Sequence, residues 1–214
     1  MVSKFTNKMK LEDLLPNKPI AVESQFPDYL INDPQIVGYP DLDMQRQIYE
    51  WVGNKLYETD LHNPTIKDFG AGRGDFWKAF YRSNDIYYGY EILPNLVECG
   101  KYKYKDAIDF HLYCKDFMTE PLMVSNFTVC IGTLNSIPTS NPWQLFEDTL
   151  RRAMETTTDK IIFVLNDNNE HGFNSFPISQ LQRHLPMGNL PMEINMELFE
   201  DIYMLTLHVG GFKL

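Results

Sequence analysis

The sequence predicts an open, twisted α/β sheet of about seven strands that closes with an antiparallel hairpin. Short strand-like runs alternate with helical runs over residues 65–165, which is typical of βαβ units and a parallel sheet. Residues 192–198 then alternate apolar and polar side chains, and a tight turn at 199–201 leads into a second strand over 202–209. Because crossovers between parallel strands are right-handed, few other topologies fit this order of elements.

The spacing of hydrophobic residues predicts the following elements along the chain. Apolar residues at helical spacing predict an amphipathic helix over 43–57. The first strand, Thr65–Phe69, ends in a glycine-rich turn that leads into a helix. The near-continuous apolar run 160–165, which opens on Lys160, is expected to be a strand covered on both faces of the sheet. The remaining parallel strands are predicted at 86–91, 109–114 and 126–132.

Prolines and polar caps mark the starts of the later helices. Pro94 opens the helix after the second strand, at a position where its missing N–H costs nothing. After the fourth strand, Asn141 is expected to cap a helix and Gln144 to reach back as a capping box. A further helix is predicted over 178–185. The buried stripe of the Asn141 helix comprises Trp143, Phe146, Leu150 and Met154.

Length and composition favour one domain preceded by an arm. The 214 residues, 43% of them hydrophobic, suffice for a single core. Residues 1–42 are predicted to form an irregular N-terminal arm or lid, because prolines interrupt any helix there repeatedly. The domain itself is expected to span 43–214. The interrupting prolines are Pro16, Pro19, Pro27, Pro34 and Pro40.

Charge and cysteine content exclude several classes of protein. Asp and Glu total 29 against 19 Lys and Arg, a net charge of −10, which argues against a protein that mainly binds phosphate backbones. The odd set Cys99, Cys114 and Cys130 has no C-x-x-C spacing, so neither a disulfide framework nor a zinc site is predicted. The first residues lack a signal-peptide core, and no window reaches the roughly 18 apolar residues of a membrane span. A soluble, cytoplasmic protein is expected.

A glycine-rich turn follows the first strand and precedes a helix. Its sequence is Asp-Phe-Gly-Ala-Gly-Arg-Gly over residues 68–74. Glycine lets a ligand approach the backbone, and ligands of open α/β sheets bind outside the carboxyl ends of the strands. The spacing G-x-G-x-G is not the dinucleotide pattern, and the Lys-Ser/Thr of a P-loop is missing, so pyrophosphate binding is the weaker interpretation.

Two acidic positions follow the next strands. Glu91 ends the second strand, where a carboxylate can accept both hydroxyls of a ribose and would repel a 2′-phosphate. Asp116 and Phe117 follow the third strand, where they can accept from an adenine amino group and cover the base. The alternative for Asp116 is a local turn cap.

These motifs, together with Val129-Cys-Ile-Gly-Thr-Leu-Asn135, resemble in their order those of class I S-adenosylmethionine (SAM)-dependent methyltransferases. The resemblance covers residues 43–209 and implies a Rossmann-like fold with SAM as the cofactor and S-adenosylhomocysteine (SAH) as its product. Residues 131–136, 141–143 and 200–205 look like those of small bacterial and phage members, which would place the protein in the host cytoplasm if it is phage-encoded.

The resemblance also implies a set of cofactor-binding residues. Residues 68–74 would wrap the methionine portion, Glu91 would hold the ribose, Asp116 and Phe117 would contact the adenine, and Gly132 would line the sulfonium. The full predicted set is Asp68, Gly70, Ala71, Gly72, Gly74, Glu91, Ile92, Asp116, Phe117 and Gly132.

Methyl transfer from a sulfonium needs positioning and exclusion of water rather than a metal, so no metal is predicted. A base is required only if the acceptor holds a proton at neutral pH. Asn135 and His171 are the candidate catalytic residues, although Asn135 could equally satisfy local backbone groups and His171 could be a solvated loop histidine. Other polar candidates at the same strand ends are Ser136, Asp167 and Asn168.

The acceptor is predicted to be a small molecule or a protein. The chain has neither an Asp/Asn-Pro-Pro-Tyr/Phe run after the fourth strand nor a Pro-Cys nucleophile, and its acidic balance disfavours nucleic acid. Three alternatives stay open: a non-catalytic SAM-binding sensor or partner subunit, a nucleotide or nucleic-acid methyltransferase, and a fold that binds no cofactor.

Overall fold

The computed structural model describes residues 26, 28–58, 61–80, 82, 85–168, 173–185, 192–199 and 201–209. A short helix α1 (Asp28–Asn32) and a 3-10 turn (Pro34–Val37) precede α2 (Leu42–Leu56). The central part runs β1 (Thr65–Phe69), α3 (Asp75–Phe80), β2 (Ile86–Glu91), α4 (Pro94–Lys103), β3 (Phe110–Cys114), β4 (Ser125–Ile131), α5 (Thr133–Ser136) and α6 (Pro142–Thr156). The last elements are β5 (Thr157–Asn166), α7 (Ile178–Leu181), β6 (Met192–Phe199) and β7 (Ile202–His208).

The strands form one mixed sheet in the order β3-β2-β1-β4-β5-β7-β6. The first five strands pair in parallel, with β1 between β2 and β4. Strand β7 runs antiparallel to β5 along its whole length and forms the closing hairpin with β6. The predicted fold, a parallel core with a C-terminal antiparallel hairpin, is confirmed.

Apolar residues cover both faces of this sheet. Helices α2, α3 and α4 bury Val52, Phe76 and Val97 on one face. Helices α6 and α7 bury Phe146 and Leu181 on the other. Strands that are packed on both faces need apolar residues throughout, which explains the continuous run in β5.

Helix α6 starts where the sequence predicts. The Asn141 side chain accepts from the N–H of Gln144 at 3.3 Å, and Pro142 occupies the first turn. The other half of the predicted capping box is wrong, because the N–H of Asn141 donates instead to the Thr139 hydroxyl at 3.1 Å.

Three parts of the chain depart from the prediction by more than one residue. Strand β5 begins at Thr157, directly after α6, and is longer than the expected 160–165. Helix α7 ends at Leu181 instead of Leu185, in a turn. The part of the arm over 28–37 is not irregular: Asp33 caps the 3-10 turn through the N–H of Gln35, and Pro34 fits its first position. Residues 1–25 lie outside the described residues.

Across the described residues, none of the helices combines the length and the apolar character that crossing a bilayer requires.

Candidate functional site

The glycine-rich turn lies at the carboxyl edge of the sheet, directly after β1. Gly70, Gly72 and Gly74 all have positive φ, at 73°, 56° and 78°, in the region that disfavours side chains. The N–H groups of Gly70 and Ala71 donate to the carbonyl of Tyr90 at 2.8 and 3.1 Å, which ties the turn to the end of β2. Gly70 is half-buried, and residues 71–74 are buried beneath the surface of this edge.

Glu91 bridges the second strand and the glycine turn. One carboxylate oxygen accepts from the N–H of Gly72 at 2.9 Å, and the other accepts from the N–H of Leu93 at 2.9 Å. The residue is only 7% exposed. Burial raises the pKa of Glu91, and the hydrogen bonds from backbone N–H groups oppose that rise. The structure thus brings Glu91, the residue predicted to hold a ribose, next to the turn that is predicted to bind the methionine portion of SAM.

Asp68 lies beneath the turn. Its carboxylate accepts from the Tyr87 hydroxyl at 2.6 Å and is 3% exposed. Burial raises the pKa of Asp68 to about 7, while the Tyr87 hydroxyl lowers it and the nearby Glu91 charge raises it further. A carboxylate held in so dry a position would favour a cationic group on a bound ligand.

Gly132 and Ile92 present open surface at the same edge. Gly132 follows β4 with a φ of 74°, and a Cβ built on it would meet nothing within 4 Å. Ile92, directly after Glu91, is 63% exposed. A ligand that reaches from Glu91 to Gly132 would cover both.

The two residues predicted to contact the adenine follow β3. The Asp116 carboxylate accepts from the N–H of Met118 at 2.8 Å, so it caps a local turn. That Phe117 covers the base stays a prediction. Its ring is buried and stacks on Phe69 at 4.5 Å.

The candidate catalytic residues that the structure describes form hydrogen bonds within the protein. The buried Asn135 side chain bonds to the end of β5. Ser136 donates to the carbonyl of Thr133, and the Asp167 carboxylate accepts from the N–H of Ile178. Asn168 donates to Asp201. His171 lies outside the described residues, so its prediction stays untested.

Sequence reasoning missed Arg73, which lies within the glycine turn yet is 1% exposed. Its guanidinium pairs with Asp75 at 2.7 Å and donates to the carbonyls of Leu30 at 2.8 Å and Asp33 at 3.0 Å. Lys103 also pairs with Asp75, at 2.8 Å. The arm is thereby fastened to the loop. The signal in the sequence was a cation among the glycines and alanine of residues 70–74.

The same part of the arm reaches over the turn itself. A Cβ built on Gly72 would lie 3.0 Å from a methyl carbon of Val37, in the 3-10 turn. Lys103 also donates to the carbonyl of Ile31 at 3.1 Å, close to the end of α1. Residues 28–41 therefore pack directly on the loop that is predicted to bind the methionine portion.

Strand order, the antiparallel β7 and the glycine turn after β1 together define the Rossmann-like fold of class I methyltransferases. No protein-family model matches the sequence, and no curated protein matches it.

Solved structures share this fold. Magnesium protoporphyrin IX methyltransferase from Synechocystis PCC 6803, with bound SAM, matches with a TM-score of 0.64 at 12% identity, over 85% of this chain and 93% of that one. A SAM-dependent methyltransferase from Clostridium acetobutylicum ATCC 824 matches at 0.64 and 11%, over 80% and 94%. The amino pentose methyltransferase CalS10 from Micromonospora echinaspora matches at 0.61 and 10%, over 77% and 91%. At identities of 10–12%, these matches establish the fold alone.

Proposed function

We propose that this protein is a SAM-dependent methyltransferase. The observation that carries the proposal is Glu91, whose buried carboxylate is held against the N–H of Gly72 at the carboxyl edge of the sheet. A carboxylate there can accept from both hydroxyls of a ribose while the glycine backbone beside it contacts the rest of the ligand. SAM fits this combination because it carries a ribose without a 2′-phosphate and a cationic methionine portion.

The chain's own residues divide the binding work. The turn over 68–74 would hold the methionine portion, with Asp68 facing its ammonium group, and Asp116 would accept from the adenine amino group. Gly132 would leave room for the sulfonium, since nothing lies within 4 Å of its missing side chain. Bound SAM supplies an electrophilic methyl group. The protein positions the acceptor in line with it and excludes water.

The arm and the acceptor complete the proposal. Residues 1–42 would help to close the site, which the contacts of Arg73 with Leu30 and Asp33 support. A small-molecule or protein acceptor fits the net charge of −10 better than nucleic acid does. The site of action would be the cytoplasm.

Calorimetric titration with SAH tests the cofactor site. We expect micromolar binding to the intact protein, lost in Glu91→Ala and in Gly72→Leu, where a side chain would meet Val37. Glu98→Ala is the matched control, because Glu98 is an exposed acid on α4 that pairs only with Lys101 at 3.4 Å in the described structure. Absence of SAH binding to the intact protein would overturn the proposal.

Turnover separates an enzyme from a SAM sensor. With tritiated SAM and a fractionated cell extract, an enzyme transfers label to an acceptor and releases SAH. Binding without transfer to any fraction, together with a change in partner affinity, would favour the sensor instead.

A further inference from the structure

Two asparagine side chains face each other across the ends of neighbouring strands. Asn135 follows β4 and Asn166 ends β5. The backbone N–H of Asn166 donates to Asn135 Oδ1 at 3.2 Å, and Asn135 Nδ2 donates to Asn166 Oδ1 at 3.2 Å. The pair lies at the carboxyl edge of the sheet, within a few residues of Gly132.

The backbone dictates which way each amide points. A backbone N–H can only donate, so the Asn135 atom that faces it must be the oxygen. Asn135 Nδ2 then faces Asn166 and the carbonyl of Val164, which lies at 3.5 Å and can only accept. The Asn166 atom that receives this donor must therefore be its oxygen. Asn166 Nδ2 is left with its two N–H groups and bonds to none of the described residues.

Hydrogen bonds from Asn174 fix the backbone around Asn135. Asn174 donates its backbone N–H to the carbonyl of Asn135 at 2.8 Å, and its side chain donates to the carbonyls of Leu134 at 2.7 Å and Ile137 at 2.6 Å. Asn135 is buried, whereas Asn166 is half-buried and reachable. The pair thus presents a preoriented donor to the edge where open space surrounds Gly132.

We propose that Asn166 Nδ2 binds an oxygen of the methyl acceptor and that Asn135 is a positioning residue that fixes the Asn166 amide. The acceptor class is a molecule with a carbonyl or carboxylate oxygen close to the reacting atom, not one with an ammonium group there. The inference rests on the proposed function, because it takes the edge beside Gly132 as the place where the methyl group is transferred.

Two substitutions replace the outward-facing N–H donors at position 166 by an oxygen, each in a different way. Asn166→Asp keeps the oxygen that accepts from Asn135 and removes only the outward donors. Asn135→Asp keeps the oxygen that accepts the backbone N–H but turns the second atom into an acceptor, so the Asn166 amide should rotate and present its oxygen outward. Asn141→Asp is the matched control, because Asn141 caps α6 through an oxygen that Asp retains.

The test follows the Asn166 side-chain amide by NMR, in protein with and without saturating SAH, as benzoate, benzamide and benzylamine are added. We expect benzoate or benzamide to shift the Asn166 amide signals and benzylamine to leave them unmoved. Asn166→Asp lacks this amide, so its titrations are read from the neighbouring Asn135 amide signals; the variant should bind the oxygen probes at least tenfold more weakly and change SAH affinity less than twofold. Asn135→Asp should favour benzylamine instead, and Asn141→Asp should behave like the intact protein.

Signals that ignore the oxygen probes, or that respond at least as much to benzylamine, would overturn the inference. So would unchanged binding of the oxygen probes to Asn166→Asp. Failure of SAH to bind would overturn the proposed function alone. The probe titrations without SAH would still test the role of the asparagine pair.

Discussion

Gly70→Ala tests how the glycine turn is built. Gly70 has a φ of 73°, and a Cβ added there would lie 2.2 Å from the Thr133 hydroxyl oxygen, which donates to the carbonyl of Phe69 at 2.8 Å. Gly132 has nearly the same φ, 74°, but open space around its missing side chain. The two glycines therefore separate backbone strain from collision.

The expected costs follow from these contacts. Gly132→Ala carries only the left-handed backbone strain, about 1–2 kcal/mol. Gly70→Ala adds a collision worth about 1–3 kcal/mol and a disturbed hydrogen bond worth about 1 kcal/mol, for a total of about 3–6 kcal/mol. Thr133→Ala alone should cost about 1 kcal/mol. In the Gly70→Ala/Thr133→Ala double variant, removal of the collision should recover part of the loss.

Urea unfolding and thermal melts measure these differences. For a chain of this size each kcal/mol lowers Tm by about 2–4 °C, so Gly70→Ala should melt roughly 6–24 °C lower than the intact protein. Equal destabilisation by Gly70→Ala and Gly132→Ala, or no recovery in the double variant, would refute the reasoning.

Three further perturbations address buried charges. Because burial raises the pKa of Asp68 to about 7 from 3.8, its ionisation opposes folding, and Asp68→Asn should gain stability over the intact protein as pH rises from about 4 to 7. Burial, with the Arg152 charge, lowers the pKa of Lys67 to about 7 from 10.5, so the intact protein should gain stability over Lys67→Met as pH rises from about 7 to 10. Arg73→Met leaves the buried Asp75 with fewer partners, which should cost about 3–5 kcal/mol and expose residues 28–41 to proteolysis.

The controls for these three are internal. The pH series are read as differences from the intact protein by thermal melts, and a flat difference across either window contradicts the assigned cause. Arg151→Met removes an exposed arginine that pairs with Asp148 at 2.9 Å and should cost less than 1 kcal/mol. Proteolysis of 28–41 that is equal in the two arginine variants would contradict the fastening role of Arg73.

The sequence determined the sheet and the placement of the glycine turn at its carboxyl edge, because both depend on local pattern. Strands β1 and β2 have the predicted bounds, since short runs between turn residues define them. The hairpin follows from period-two alternation around a tight turn. Glu91 and the glycine turn could be paired in advance because parallel neighbours bring their carboxyl ends together.

Only the tertiary structure decided where individual side chains point. The Phe117 ring packs in the core, stacked on Phe69 of β1. The role of Asn135 depended on the backbone of Asn166, which lies 31 residues away in sequence. Arg73 acquired its partners from an arm some 40 residues upstream. Periodicity reports which face of an element is apolar, whereas these contacts arise only when distant segments are packed together.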